Sequence, residues 1–532
     1  MVQRAGETER KYEAAAGVTD PRPAYDGLPD VAGTRTLDPV ELDAVYYDTP
    51  GLALAAHRVT LRRRTGGDDA GWHLKLPTSE ADTRTEVRVP LGTEGTEGAE
   101  RVAGPADTGQ TGPSADAHAA AIFAGGEHRV PPAELRAEVA ALTRGHPLNP
   151  VVRLRTHRRR ELLLDHTGRT LAEIAHDTVH AQARDAAPTS WSETEVELHE
   201  GGPRLLDAVE ERLAAAGLHR STSPSKLARA LGGGVLAAPP ATPGRPPTAG
   251  RTATAYLREQ LTAILALDPA ARRAEEDAVH RMRVATRRAR SALKSFRKEL
   301  DRAATDPVGH ELAWLAGVLG TARDREVLTE RLGHRLGELD PALATRPLRR
   351  RLLERDGAPA GPHAAAPPEL DSPRYHALLD ALEALLAAPP YTPAADAPAA
   401  EAARATVRRD HARLRHGIEA ALALPPGDAR DTALHEARKD AKRARYSSEA
   451  AQAVLGPAAT AHTARMKTVQ QLLGEHQDSV MCRTALAALR EDAERAGEDP
   501  APYDALDRRE REIAADVEAG LPAAWRDADR PL

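Results

Sequence analysis

Residues 279–298 read VHRMRVATRRARSALKSFRK. At helical spacing His280, Arg283, Arg287, Arg290, Lys294 and Arg297 recur every three or four residues and form one cationic stripe. Val279, Met282, Ala285, Ala289, Leu293 and Phe296 take the other side, which suits packing in a bundle. The stripe offers a row of donors suited to phosphate. Its spacing returns in LHEARKDAKRARY (434–446), where His435, Arg438, Lys442 and Arg445 each lie 155 positions after a counterpart. A second echo follows: Leu319-Gly320 with Asp324 and Val327 reappears as Leu473-Gly474 with Asp478 and Val480. A solvated charged face accounts for one stripe but not for a matched pair, so the pattern reads as a duplicated helical unit.

The 532 residues suffice for two or more domains with their own cores. Charged residues make up 29% and aromatics 3%, which favours Ala/Leu helices and leaves few rings to stack on bases. The net charge of −6 argues against a general nucleic-acid binder; an anion site must come from local segregation of charge. One cysteine, Cys482, excludes an intramolecular disulfide and a multi-cysteine metal cage, and fits a reducing compartment. A polar N-terminus and the lack of a long apolar run predict a soluble, cytoplasmic protein without membrane contact.

From Glu7 to about Leu231 the alternation is strand-like. ETERKYE points Glu7, Glu9 and Lys11 one way and Thr8, Arg10 and Tyr12 the other. RVTLRRR aligns Arg58, Thr60, Arg62 and Arg64; GWHLKLP aligns His73 and Lys75; TRTEVRVPL aligns Arg84, Glu86 and Arg88. Later strands are VVRLRTH, RRELLLD, TLAEIAHDTV and WSETEVEL, the last aligning Glu193, Glu195 and Glu197. Charges of both signs at alternate positions on strand after strand suit a sheet closed around a charged lumen better than a sheet facing solvent. Carboxylates there suit a hard divalent cation, and Arg and Lys suit a polyanion.

Glu7-x-Glu9-x-Lys11, then YYDTP, LRRR, GWHLKLP, the Arg84–Arg88 strand, EVEL and SKLARAL with Lys226, in that order, resemble the CYTH family of triphosphate tunnel metalloenzymes over residues 3–232. The resemblance implies an eight-stranded antiparallel tunnel with flanking helices that hydrolyses tripolyphosphate or a nucleoside triphosphate with Mg²⁺ or Mn²⁺. It implies Glu7, Glu9, Glu195 and Glu197 on the metal side. Lys11, Arg62, Arg64, Lys75, Arg155 and Arg158 would clamp phosphate, with Glu86, Glu173, Asp177 and Lys226 as further members. His157 amid the arginines of RLRTHRRR leaves the face of Arg155 and Arg158 open. Residues 92–128 read as a flexible insertion at a tunnel rim. PRLLDAVEERLAAAG (203–217) predicts an amphipathic helix that plugs or flanks the barrel, and 236–250 a Pro-rich linker.

Beyond residue 252 the chain reads as helical. The periodicity predicts helices near 253–267, 274–301, 308–320, 323–340, 373–388, 398–422, 430–454, 459–475, 478–496 and 503–518, in two four-helix-like repeats at about 252–345 and 372–520. VHRMRVATRRARSALKSFR, LGTARDREV, SPRYHALLDAL and HEARKDAKRARY resemble the CHAD family, the conserved histidine α-helical domain, over residues 252–525. That resemblance implies basic helices lining a polyphosphate-binding surface, built from His280, Arg283, Arg287, Arg290, Lys294, His435, Arg438, Lys442 and Arg445. Neither histidine has a second His or Cys at ligand spacing, which favours anion contact or packing over metal ligation. CYTH followed by CHAD is itself a known arrangement. The reading is a metal-dependent inorganic triphosphatase joined to a long-chain polyphosphate-binding module, with polyphosphate granules as a place of residence. The alternatives are a non-catalytic polyphosphate-binding, granule-targeting protein and a class IV adenylate cyclase. Scarce aromatics and the acidic balance disfavour nucleic acid.

Overall fold

A computed structural model describes residues 2–15, 23–78, 80–91, 129–184, 186–232, 247–275, 277–353 and 367–532, without the side chains of 321–326. The expected insertion at 92–128 and most of the 236–250 linker lie outside these residues. The chain divides into two compact units, Met1–Ala241 and Thr242–Leu532.

Among its described residues the first unit is built on ten strands: β1 (Gln3–Ala14), β2 (Gly33–Thr36), β3 (Val40–Asp48), β4 (Thr60–Thr65), β5 (Gly71–Pro77), β6 (Thr83–Pro90), β7 (Asn149–Leu164), β8 (Thr170–Ala183), β9 (Thr189–Leu198) and β10 (Leu218–Arg220). The order β1-β6-β5-β4-β3-β7-β8-β9, closed by pairing of β9 back onto β1, is an eight-stranded antiparallel barrel; β10 adds to β1 and β2 to β7. RRELLLD is therefore not a strand of its own. It continues VVRLRTH without a turn, because 149–164 contains no glycine, and its one proline, Pro150, sits at the start. A barrel of eight strands has a lumen just wide enough for side chains, so the inward positions decide what the tunnel can hold.

The short helices α1 (Ala53–Ala56), α2 (Ala133–Glu138) and α3 (Ala140–Thr143) cover one outer side of the barrel. Leu54 and Leu135 from them, and Val139 between α2 and α3, pack with Leu61, Trp72, Leu74 and Val87 of the strands. Helix α4 (Pro203–Ala215) lays Leu205, Leu206, Val209 and Leu213 against Tyr12, Leu163, Ile174 and Val196, on the strand face turned away from the lumen. It flanks the barrel and does not plug it. Each fully buried Leu or Val here contributes about 1.5–3 kcal/mol relative to exposure. The lumen itself is apolar at one end, where Ala44, Tyr46, Val152, Leu154 and Val179 meet Leu227 and Ala230 of α5 (Lys226–Ala230).

The second unit contains α6 (Ala249–Arg272), α7 (Ala278–Ser295), α8 (Arg302–Glu338), α9 (Arg346–Leu353), α10 (Pro373–Ala387), α11 (Ala399–Ala423), α12 (Asp428–Leu455), α13 (Pro457–Arg495) and α14 (Ala501–Ala528). Two expected breaks are absent: α8 runs through 321–322 and α13 through 476–477. Gly320 and Gly474 weaken those helices only slightly, by about 1 kcal/mol each, and packing outweighs that cost. Thr248 caps α6, its hydroxyl accepting from the Arg251 amide, so the helix begins inside the expected linker. No helix among the described residues is long and apolar enough to cross a membrane.

Candidate active site and polyanion surface

The strand register gathers the charged inward positions. Glu9 pairs across from Glu197, Lys11 from Glu195, Lys75 from Glu86, Arg158 from Asp177, and Glu173 from Glu197. All of these but Asp177 line a cavity of about 290 Å³ together with Glu7, Arg62, Arg64 and Lys226. Three charge environments share the lumen.

In the first, three buried carboxylates are each paired with a cation of the chain. Lys226 Nζ lies 3.0 Å from Asp177, 2.7 Å from Glu193 and 2.6 Å from Glu195. Arg158 donates to both oxygens of Asp177 at 2.8 and 2.7 Å and to Glu195 at 2.6 Å. Lys11 bonds Glu195 as well. Against the upward push of burial, Lys11, Lys226 and Arg158 hold Glu195 well below the usual carboxylate range. The donor atoms of Asp177, Glu193 and Glu195 lie close enough together to hold a metal, but cations of the chain already balance them.

In the second, acid is in excess. Glu7, Glu9, Glu173 and Glu197 face one another, with Lys75 reaching Glu7 at 2.5 Å and Glu9 at 3.8 Å. Lys11 and Lys75 keep Glu9 ionised in spite of burial. At Glu197 the balance tips the other way: burial and then Glu7, together with Glu9 and Glu173, outweigh Lys75 and push its carboxyl up to about 7. Glu7 Oε2 is buried without a hydrogen-bond partner among the described residues. Crowded hard oxygens with one orphaned atom fit a divalent cation.

In the third, base is in excess. Arg62 and Arg64 stand on adjacent inward positions of β4; burial, and then Arg62 and Arg158, lower the Arg64 guanidinium. Arg64 bonds Asp69 from the β4–β5 turn, and Arg62 donates to the Tyr46 hydroxyl at 3.3 Å. Glu86 is held in place by His73, whose Nδ1 lies 3.0 Å from Glu86 and whose Nε2 lies 2.9 Å from the Asp69 carbonyl oxygen.

Arg155 stands apart from all of this. Period-two alternation in β7 directs Arg158 and Arg160 inward and Arg153 and Arg155 outward; Arg155 is 57% exposed and 3.9 Å from Asp43. Arg160 lines the cavity, as do Arg84 and Arg88 on either side of Glu86. The alternation already marked Arg84 and Arg88, and Arg160 follows Arg158 by two. Asp68 and Asp69 come from a turn, where strand periodicity carries no signal.

In the helical unit the two stripes meet. Arg283, Arg287 and Arg438 surround Lys442; burial and these neighbours bring its ammonium down to about 6. In the Leu-Gly echo, Gly320 has a steric reason. A Cβ on Gly320 would lie 2.9 Å from Arg283 Nη2, and one on Gly474 would lie 3.7 Å from Arg438 Nε. Gly320 thus lets Arg283 lie close across α8, whereas at Gly474 a Cβ would meet Arg438 only at ordinary van der Waals distance. Arg438 is 3.8 Å from Asp478, Arg445 donates to Glu449 at 2.9 Å and to Gln470 at 3.2 Å, and Lys294 is exposed. His280 is exposed, and His435 shares a hydrogen bond with Gln477.

A CYTH domain model matches residues 5–231 and a CHAD domain model residues 255–487. An uncharacterized protein of Mycobacterium tuberculosis (strain CDC 1551 / Oshkosh) is 35% identical over 547 residues, covering 99% of this chain and 97% of its own. Among solved structures, PptA from Streptomyces chartreusis is 27% identical with a TM-score of 0.42, over 52% of this chain and 99% of its own. The CHAD domain from the plant Ricinus communis is 26% identical with a TM-score of 0.40, over 52% of this chain and 92% of its own.

Proposed function

The chain belongs to the family of proteins that carry a CYTH domain ahead of a CHAD domain, and from that premise we propose a metal-dependent triphosphatase joined to a polyphosphate-binding module. The substrate is inorganic tripolyphosphate or a related triphosphate, and the metal is Mg²⁺ or Mn²⁺. The observation that carries this reading is the opposed imbalance inside one lumen: acid in excess of Lys75 around Glu197 and base in excess of Asp69 around Arg62 and Arg64. A metal–polyphosphate complex supplies charge of the missing sign to both.

Glu7, Glu9 and Glu197 would hold the cation, which when bound neutralises phosphate charge as a Lewis acid. Glu195 is committed to Lys11, Arg158 and Lys226 and serves to fix those cations. Arg62, Arg64, Arg158 and Lys75 orient the phosphate oxygens and stabilise charge that spreads over them in the transition state. The test is phosphate release from a panel of tripolyphosphate, ATP and long-chain polyphosphate with Mg²⁺, Mn²⁺ or EDTA. Metal-dependent release, abolished by Glu7→Ala or Glu9→Ala, is the expected result. A folded but inactive protein that still binds polyphosphate leaves only a binding, granule-targeting role, and cyclic AMP formed from ATP would replace the reading by a cyclase.

The helical unit would bind long-chain polyphosphate through Arg283, Arg287, Arg438 and Lys442, the group with crowded positive charge. A bound polyanion favours the charged ammonium of Lys442. That group is lowered in the folded protein, so the folded state binds fewer protons than the unfolded one between about 6 and its ordinary value, and stability rises with pH across that window. Binding should therefore take up a proton at pH 7.5, seen as a dependence of calorimetric heat on buffer ionisation enthalpy. Lys442→Met should remove that dependence. Polyphosphate bound as tightly by Arg283→Ala/Arg287→Ala/Arg438→Ala/Lys442→Ala as by the parent would refute this role for the stripe.

A further inference from the structure

Helices α7 and α12 meet where Arg287 lies beside its own repeat counterpart, Lys442, so a contact on one side of the crossing has an image on the other. Arg288 and Arg443 are counterparts, as are Lys294 and Glu449, and Arg297 and Gln452. Arg288 Nε donates to Glu449 at 2.9 Å. In the image contact, Arg443 Nη2 donates at 2.6 Å to the main-chain oxygen of Lys294, because the side chain there is an ammonium where its counterpart is a carboxylate.

The same reversal reaches the next arginine. Arg445 Nε donates to Glu449 at 2.9 Å, whereas its counterpart Arg290 finds Lys294 at that spacing, and Arg290 Nε is buried without an acceptor among the described residues. Around Arg288, burial is outweighed by Glu449, and the guanidinium is raised. Around Arg443, burial with Arg413, Arg297 and Arg409 outweighs Asp410 at 3.5 Å, and the guanidinium is lowered. Lys294 is lowered by partial desolvation and by Arg290, Arg443 and Lys439. Lys294, Arg297 and Arg413 are exposed. Duplication thus made two equivalent ends, and charge reversal closed one with a carboxylate and left the other with cations in excess.

We propose that a linear condensed phosphate on this unit is held off centre, crossing Arg287 and Lys442 and continuing over Arg290, Lys294, Arg297, Arg413 and Arg443, while the Glu449 end is shut to it. The inference rests on the polyphosphate-binding reading above. Each cation that neutralises a phosphate releases a counterion, so loss of the arm lowers both affinity and its dependence on salt.

The test uses the full chain in EDTA, with long-chain polyphosphate titrated at several KCl concentrations. Lys294→Glu/Arg297→Gln, at exposed positions, is expected to weaken binding about tenfold or more and to flatten the salt dependence by roughly two charges. Glu449→Gln, with its native-like melting confirmed, is expected to bind no more weakly than the parent. Unchanged affinity and salt dependence in Lys294→Glu/Arg297→Gln, alongside loss in Arg287→Ala/Lys442→Ala, overturns the arm and spares the binding reading. A parent protein that does not bind polyphosphate overturns both, and displacement by single-stranded RNA at equal phosphate concentration overturns the choice of condensed phosphate.

Discussion

Lys226→Met should cost the barrel unit about 3–5 kcal/mol, the range for removing one partner from a buried ionic network. Lys226 is 7% exposed, and its ammonium sits 2.6–3.0 Å from Asp177, Glu193 and Glu195. Without it, Asp177 keeps the Arg158 fork and Glu195 keeps Arg158 and Lys11, but among the described residues Glu193 is left with only the Trp191 Nε1–H at 2.5 Å. The orphaned carboxylate can relieve its charge by taking a proton, which is easier in acid. The variant should therefore recover stability as the pH falls from 7 toward 5, the folded state then binding more protons than the unfolded one. Urea denaturation followed by circular dichroism at both pH values measures the loss. A deficit below about 1 kcal/mol at pH 7 would mean that water, not the chain, satisfies these carboxylates.

Arg62→Ala should lower kcat/KM for tripolyphosphate by about 10³-fold, within the range found when a cationic or hydrogen-bonding stabiliser of a transferred phosphoryl group or oxyanion is deleted. Arg62 is packed among Tyr46, Glu86 and Glu7, yet among the described residues its one hydrogen bond is a 3.3 Å contact to the Tyr46 hydroxyl, and its Nε is buried without an acceptor. Such a fork is pre-organised at little cost in chain entropy. Its removal also relieves Arg64 of a like charge, so the folded state should lose little stability while activity collapses. Arg62→Lys should recover only part of the rate, because an ammonium restores the charge but not the planar fork. Steady-state kinetics beside a melting curve separates the two effects. Activity within about threefold of the parent would remove Arg62 from the phosphate clamp.

Much of the tunnel was legible because a strand has period two. Once Glu7, Glu9 and Lys11 share a face, the inward sets Arg62/Arg64, Lys75 and Glu195/Glu197 follow from local pattern alone. Period two also ties Arg155 to the face opposite Arg158; what the string RLRTHRRR could not say is which parity points inward. That depends on pairing with β3 and β8, which places Arg158 opposite Asp177. Asp69 was illegible for another reason: it reaches Arg64 from a turn, and no periodicity governs a turn.

The duplicated helices divide the same way. Spacing alone establishes two basic amphipathic helices, their echo at 155 residues and a Leu-Gly pair after each. Periodicity is a property of the backbone, and backbone geometry repeats locally. Only the tertiary structure decides that Arg283 lies across Gly320 and Arg438 beside Gly474, that Arg287 and Lys442 share one crossing, and that Lys294 and Glu449 answer each other from opposite ends. Charge interactions depend on distance through space, and residues far apart in sequence come within a few ångströms only after the core has packed.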